Sequence, residues 1–599
     1  ETVPVTRFAL SFAIGAPLLV FSARQAAMYS LPKLLFLCAA CCAAWAGLWL
    51  ESLRRRVLRG TLLDAPILTL GAVLLLSAAF SSDGWLSLVG HYRAYFYGLL
   101  PLGLCAGLYY ACAFSRESRS PGLLLGVLSA AGALCGIYGV LQGAGLEPFI
   151  GVGRLPEGGR IVSSMGSPVY LGACLVLNIP VALHLALDRG GFPRALGAGA
   201  LLSCGAALLL TLSRGAWLSC AAGVFAYLVL AGRVRFPARS ARAWAAAAAG
   251  ALLLLGAVFL AAGRFRRHSV SDAARLHLWH SGLLISLQHP LLGTGPDAFE
   301  NALRRERTPG LIRSLGPSQG QASAHNDLLQ AAATLGLPGL AAYLWLLWAL
   351  AASCARALKG PLRPEAAAIS GSLLGLFFQA KLNPVPLAAL AAAAALAGLV
   401  EGAGASEKDG PASPPPGPPG SWEAAAAASV LLLAALGVGR LCLADYHQKR
   451  ALVLSSAGEE ASAADSWRLA IRLNPFETNY RISYARFLFA KADRTEDARA
   501  RGGMLAEAVA LGREAVRRRP GDIDALQTLG SSLINAGRRG DALALEEADR
   551  VLEAAQEMDP NFPPLLQNRI LLARLRGDAS KARELSDRLT VLLDFRREK

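Results

Sequence analysis

The chain has 599 residues, of which 54% are hydrophobic and only 17% charged; 59 Lys and Arg stand against 42 Asp and Glu, a formal net charge of +17. A soluble domain carries about 25% charged residues, so this composition excludes a disordered chain, a small disulfide scaffold and an ordinary soluble enzyme. It describes a multi-span membrane protein with a surplus of positive charge to be placed.

A membrane span needs about 20 mainly apolar residues. In chain order, apolar windows fall at 8–22, 34–50, 62–80, 95–114, 122–141, 169–187, 195–212, 216–231, 244–262, 335–353, 366–380, 386–400 and 424–444. That predicts about 12–13 spans by hydropathy. The first window has signal-peptide character, but further spans follow at once, which favours a retained span. The short pair flanking Lys381 to Pro384 also fits a re-entrant hairpin. The eleven cysteines lie between Cys38 and Cys442, in or beside apolar runs, and read as small buried hydrophobes.

Lys and Arg concentrate in alternate short loops, at 54–59, 116–119, 189–194, 233–242 and 356–363, while the intervening loops hold few. The positive-inside rule then makes the N-terminus cytoplasmic. An odd number of spans carries the C-terminal domain to the outer side. Most of the surplus charge is therefore assigned to topology.

Outward-facing polar sequence gathers in 142–167 and in a long loop, 263–330, which holds five of the eight histidines and eight arginines. Long structureless loops are uncommon unless functional. Leu276, Trp279, Leu283 and Leu287 recur there at helical spacing and predict an amphipathic helix on the membrane surface, with Arg275 near its start. His277 and His280 share a helix face and would need a third ligand such as Asp272 to hold a metal; surface histidines are the simpler reading. In PLLGTGPDAF, Gly293 and Gly295 permit unusual backbone geometry, either to expose amides to an anion or to make a turn. Arg214, in SRGAWLS between two spans, snorkels to lipid phosphate or forms an anion site. His325, in AHNDLLQ before the 335–353 window, is a helix cap or a general base.

Residues 401–420 form a Pro/Gly-rich linker on the cytoplasmic side, and 421–444 the last span. From 445 to 599 the pattern becomes charged and helical. Three similar segments break at Pro475, Pro520 and Pro560, with spacings of 45 and 40 residues. They resemble tetratricopeptide repeats, nominally 34 residues long, and predict a soluble α-helical solenoid. A generic helical bundle is the alternative.

RIVSSMGSPVYLGACLVLNIP, SRGAWLS, HPLLGTGPDAF and AHNDLLQ, in that order, make residues 1–400 resemble the bacterial O-antigen ligase and polymerase superfamily. The looser GWLSLVGHYRAYFYG, with His91 and Arg93, also fits its first outward loop. The resemblance implies an all-α, GT-C-like glycosyltransferase of the inner membrane, followed by a periplasmic repeat domain. It implies transfer of a glycan from an undecaprenyl-diphosphate carrier to a hydroxyl of lipid A core, a growing polysaccharide or a protein. Arg214 and Arg275 match the family's paired arginines and His325 its histidine, as diphosphate holders and general base. Arg160 matches a further positive position. Arg93, Gly293, Gly295 and Asn326 complete the expected substrate-binding set. The resemblance implies neither a metal nor another cofactor. GSPVY departs from the commoner Gly-Asn-Pro-Asn, so no donor contact is carried over there. The bilayer, and a protein partner at the repeats, are the expected macromolecular contacts; nucleic acid is not. A transporter or flippase would show ionisable residues at mid-span, and Asp64 and His184 lie near span ends. An envelope scaffold would not need so many spans.

Overall fold

The computed structural model describes residues 5–52, 60–149, 159–234, 270–316, 320–404 and 421–594. Among these, regular structure is helical throughout, with no strand. The 244–262 window, the arginine clusters at 54–59 and 235–242, most of the linker and the first residues of the long loop lie outside the described residues.

The other twelve windows all coincide with helices. Among the described residues, six helices are long and apolar enough to cross a membrane, namely Leu31–Leu50, Gly122–Gly143, Pro168–Asp188, Gly191–Leu210, Asp327–Ala357 and Ala428–Ser456. Five more, Val5–Leu19, Asp64–Ala79, Leu99–Phe114, Arg214–Leu230 and Leu387–Ala403, are apolar but shorter. The shortening has local causes. Residues 90–98, for instance, form a turn in which Arg93 (φ 71°) and Tyr95 (φ 54°) are left-handed, so that helix starts only at Leu99.

In chain order the membrane bundle comprises α1 (Val5–Leu19), α2 (Leu31–Ser52), α3 (Asp64–Ala79), the short α4 (Gly84–Val89), α5 (Leu99–Phe114), α6 (Gly122–Gly143), α7 (Pro168–Asp188), α8 (Gly191–Leu210) and α9 (Arg214–Leu230). The outer-loop helices α10 (Val270–Gln288), α11 (Phe299–Arg305) and α12 (Pro309–Leu315) follow, then α13 (Asp327–Ala357), α14 (Arg363–Ala380), α15 (Leu387–Ala403) and α16 (Ser421–Ser456). Small residues let these helices approach closely, as expected where apolar burial gives little drive within lipid. At the α9–α14 crossing, a Cβ on Gly223 would lie 2.7 Å from the Gly371 carbonyl oxygen. Cys38 and Cys41, one turn apart on α2, are buried free thiols in this core. At one end of the bundle, Arg7 pairs with Glu117, Arg189 with Glu365, Arg233 with Asp188 and Arg356 with Glu401. The loop arginines assigned to topology are thus partly neutralised by carboxylates at the helix ends.

Helix α13 is broken. Gly336 takes φ 72°, ψ −173°, a region open only to glycine. The break frees the carbonyls of Ala333 and Thr334, which accept from Thr294 N and Gly295 N, each at 3.0 Å; Leu337 N donates to Pro290 O at 2.8 Å. The Pro290–Gly295 turn is therefore an internal brace for this break.

The long loop packs around its own small core of Ala274, Leu278, Ile285, Phe299, Leu303 and Leu311. On α10 the predicted leucine stripe faces outward and a second stripe faces this core. Leu276, Leu283 and Leu287 are 65%, 51% and 69% exposed, while Ala274, Leu278, Ser281 and Ile285 face inward. The helix carries two apolar stripes, and its more hydrophobic one is outside.

Helix α16 does not stop at residue 444. It runs unbroken to Ser456, where Gly458 (φ 82°) ends it, because nothing in ADYHQKRALVLSS breaks a helix. Its first half packs on α2 and its second half leads into an array of α17 (Glu460–Leu473), α18 (Thr478–Arg494), α19 (Ala498–Arg518), α20 (Ile523–Gly537), α21 (Ala542–Met558), α22 (Pro563–Leu575) and α23 (Ala579–Leu593). Each helix packs on the next, and α20 also packs on α18 and α22. The three proline breaks share one geometry. Asn474, Arg519 and Asp559 have φ/ψ of −134/88°, −138/84° and −136/84°, the extended conformation that a following proline imposes.

The array rests on the long-loop end of the bundle. Trp85 stacks on Phe476 at 5.1 Å. The Tyr92 hydroxyl donates to Asp445 at 2.7 Å. Arg519 pairs with Asp83 at 2.6 Å, and Ile312 is buried among Leu566, Ile570, Leu585 and Leu592.

Candidate functional site

The turn between α8 and α9 positions the first two arginines. Leu212 is left-handed (φ 50°), which brings the chain round so that α9 begins at Arg214. Arg160 Nε donates to Thr211 O at 2.9 Å, so Arg160 lies against the same turn. Arg214 is half-buried.

Asn383 joins this turn to the long loop. A Cβ on Gly215 would lie 3.0 Å from Asn383 Nδ2, and Arg275 Nη2 donates to Asn383 Oδ1 at 3.0 Å. Asn383 is buried. The Arg275 guanidinium also acts on His325: burial first, and the Arg275 charge second, push that imidazole down to about 4 from its ordinary 6.5. The ring is therefore neutral at neutral pH. His325 takes a left-handed φ of 55°, a conformation uncommon for non-glycine residues. Its N–H donates to Ser323 Oγ at 3.1 Å. Its Nε2 lies 3.3 Å from Gln321 Oε1, a contact that suits the tautomer with the ring hydrogen on Nε2. Nδ1 is buried with no hydrogen-bond partner.

A second charged group adjoins His325. Lys381 Nζ lies 2.6 Å from both oxygens of Asp327, whose Oδ2 also accepts from Tyr343 Oη at 2.6 Å. Lys381 further sits 4.0 Å from the Phe377 ring centroid. The pair ties the start of α13 to the α14–α15 turn that carries Asn383. Sequence reasoning missed Asn383 and used Lys381 only as a topology marker. Its available signal was two polar residues in the short, otherwise apolar link between α14 and α15.

The remaining predicted residues fare differently. Asn326 Oδ1 accepts from Leu328 N and Leu329 N, so its carbonyl caps α13. Gly293 N donates to His289 O and Gly295 N to Thr334 O. A Cβ on Gly295 would sit 2.2 Å from Ser81 Oγ. Both amides are already spent, which corrects the expectation that they face an anion. Arg93 is exposed and lies 5.5 Å from the Tyr92 ring centroid, while its carbonyl accepts from Ser30. It thus stands in the contact zone of the helical array. His277 Nδ1 lies 3.3 Å from Thr308 Oγ1, whereas His280 is exposed.

Arg275 and the turn that carries Arg214 converge on Asn383 at one end of the bundle, with Arg160 against that turn and His325 beside Arg275. Guanidinium groups bind phosphate oxygens through short, charge-assisted contacts, and a neutral imidazole accepts a proton. The site can therefore hold a polyanion beside a base. No curated protein matches the chain. Residues 199–344, which contain Arg214, Arg275 and His325, match the family model described as O-antigen ligase, so the chain is a multi-pass membrane protein with a region similar to that family.

Proposed function

We propose that the chain is an inner-membrane glycosyltransferase that moves a glycan from an undecaprenyl-diphosphate carrier to an acceptor hydroxyl. Arg214 and Arg275, supported by Arg160, hold the diphosphate. His325 takes the acceptor proton as the acceptor oxygen attacks the anomeric carbon. The carbon–oxygen bond to the diphosphate breaks with inversion, and the lipid diphosphate leaves. Arginine contacts strengthen as negative charge grows on the leaving group, which lowers the barrier selectively. The observation that carries the reading is the convergence of Arg275 and the Arg214 turn on Asn383, beside a neutral His325.

A ligase to lipid A core, a polysaccharide polymerase and a protein O-oligosaccharyltransferase share this chemistry and differ in acceptor. The exposed leucine stripe of α10 suits the outer-leaflet surface. With the N-terminus cytoplasmic, the long loop and the tetratricopeptide-like array are periplasmic. The test is transfer of a lipid-diphosphate glycan in vesicles by Arg214→Ala, Arg275→Ala and His325→Ala variants. Each is expected to lose at least about 100-fold in rate; full activity in all three would sink the mechanism.

A further inference from the structure

A chain of charges, buried at Asp559, Arg304, Arg307 and Glu300 and open to solvent at Asp524, runs from the helical array towards His325. Arg304, on α11, lies 3.5 Å from Asp524 and 3.8 Å from Asp559, both on the array, and 3.1 Å from Glu300 on its own helix. Arg307 lies 3.4 Å from Asp559. Asp559 is fully buried, and the Arg304 and Arg307 side chains are only 11% and 4% exposed. Both guanidiniums stand 5.7 Å from the Phe562 ring centroid, and Asn561 Nδ2 donates to Arg307 O at 3.0 Å. Asp524, Asp559, Asn561 and Phe562 all belong to the proline junctions of the array.

On its other side Glu300 meets His91, with Oε2 2.8 Å from Nε2, and Asp297 Oδ2 accepts from His91 N at 2.6 Å. Burial alone would raise the Glu300 carboxyl, yet His91, Arg304 and Arg307 hold it down at about 2. The carboxylate also shapes the chain leading to His325. A Cβ on Gly320 would lie 1.7 Å from Glu300 Oε1, so the backbone there is pressed onto Glu300. The next residue, Gln321, is the partner of His325 Nε2. Array, Arg304, Glu300, Gly320, Gln321 and His325 form one contiguous series.

Resting on the transferase reading above, we propose that Asp524 and Asp559 are positioning residues: they hold Arg304 and Arg307, which fix Glu300 against Gly320 and so aim the His325 ring. The repeat domain is then part of the working site in addition to any partner it binds. The cost of removing it arises from geometry. Reactions that need two groups aligned lose about 100-fold for a displacement near 1 Å, while donor contacts made by the arginines around Asn383 stay in place.

The test uses the full-length chain in proteoliposomes with a lipid-diphosphate glycan donor. Wild type and His325→Ala are run alongside. No transfer by wild type, or wild-type transfer by His325→Ala, counts against the transferase reading itself. With those controls in order, the D524N/D559N double variant is expected to lower kcat about 10- to 100-fold with donor KM within about twofold. D524E/D559E is expected to restore most of the rate. Glu300→Gln, which leaves the array intact, is expected to reproduce the loss. Wild-type kcat in D524N/D559N, or a fall confined to donor KM, would overturn the proposal. If the double variant fails to fold, Glu300→Gln decides, and a wild-type kcat there overturns it.

Discussion

The acid limb of the pH–rate profile tests the environment of His325 directly. Burial and the Arg275 charge take its imidazole from 6.5 to about 4, a preference for the neutral ring worth about 3 kcal/mol. Because the neutral ring is the active form, kcat/KM for the donor should be flat from pH 8 down to about 5 and fall as pH drops through about 4. Donor binding brings a diphosphate beside Arg275 and offsets its charge. The limb seen in kcat, which reports the bound enzyme, should therefore lie higher, between about 4 and 6.5. Arg275→Met should raise the limb in kcat/KM as well, whatever the absolute rate. The sign for stability agrees: the unfolded chain takes up the proton first, so stability falls as pH drops from 6.5 towards 4. The assay is initial-rate transfer over pH 3.5–8, with vesicle integrity checked at each end. Acid limbs that coincide at 6.5 in both profiles would refute the argument that burial and Arg275 control this base.

Two further substitutions separate chemistry from scaffolding. Asn383→Leu removes the acceptor for Arg275 at 3.0 Å. A hydrogen bond to a charged group is worth about 1.5–3 kcal/mol, so donor kcat/KM should fall about 10- to 100-fold; an unchanged value would remove Asn383 from the site. Gly295→Ala forces a Cβ to within 2.2 Å of Ser81 Oγ at a φ of 109°. It should lower the melting temperature by several degrees, at a cost of about 1–3 kcal/mol, with donor KM unchanged. A raised donor KM at unchanged stability would restore the anion-binding role.

Much of this protein can be read from its sequence because the relevant forces are local. Apolar windows form helices wherever lipid or core demands internal hydrogen bonding. Prolines end helices at Pro475, Pro520 and Pro560, since the preceding residue cannot remain helical. Motif order picked out Arg160, Arg214, Arg275 and His325 through resemblance to a family. Tertiary structure decided what depends on contacts between distant segments. Asn383 has no local signature, yet it joins Arg275 to the turn at Gly215, far away in sequence. Gly293 and Gly295 look like anion-binding glycines until the break at Gly336 claims their turn as a brace. Helix α10 has two apolar stripes, and only packing chose which is inside. The charge that opened the reading divides in the same way. The sequence set its total and its distribution among loops, whereas the fold paired Arg189, Arg304 and Arg519 with carboxylates and brought Arg275 to Asn383.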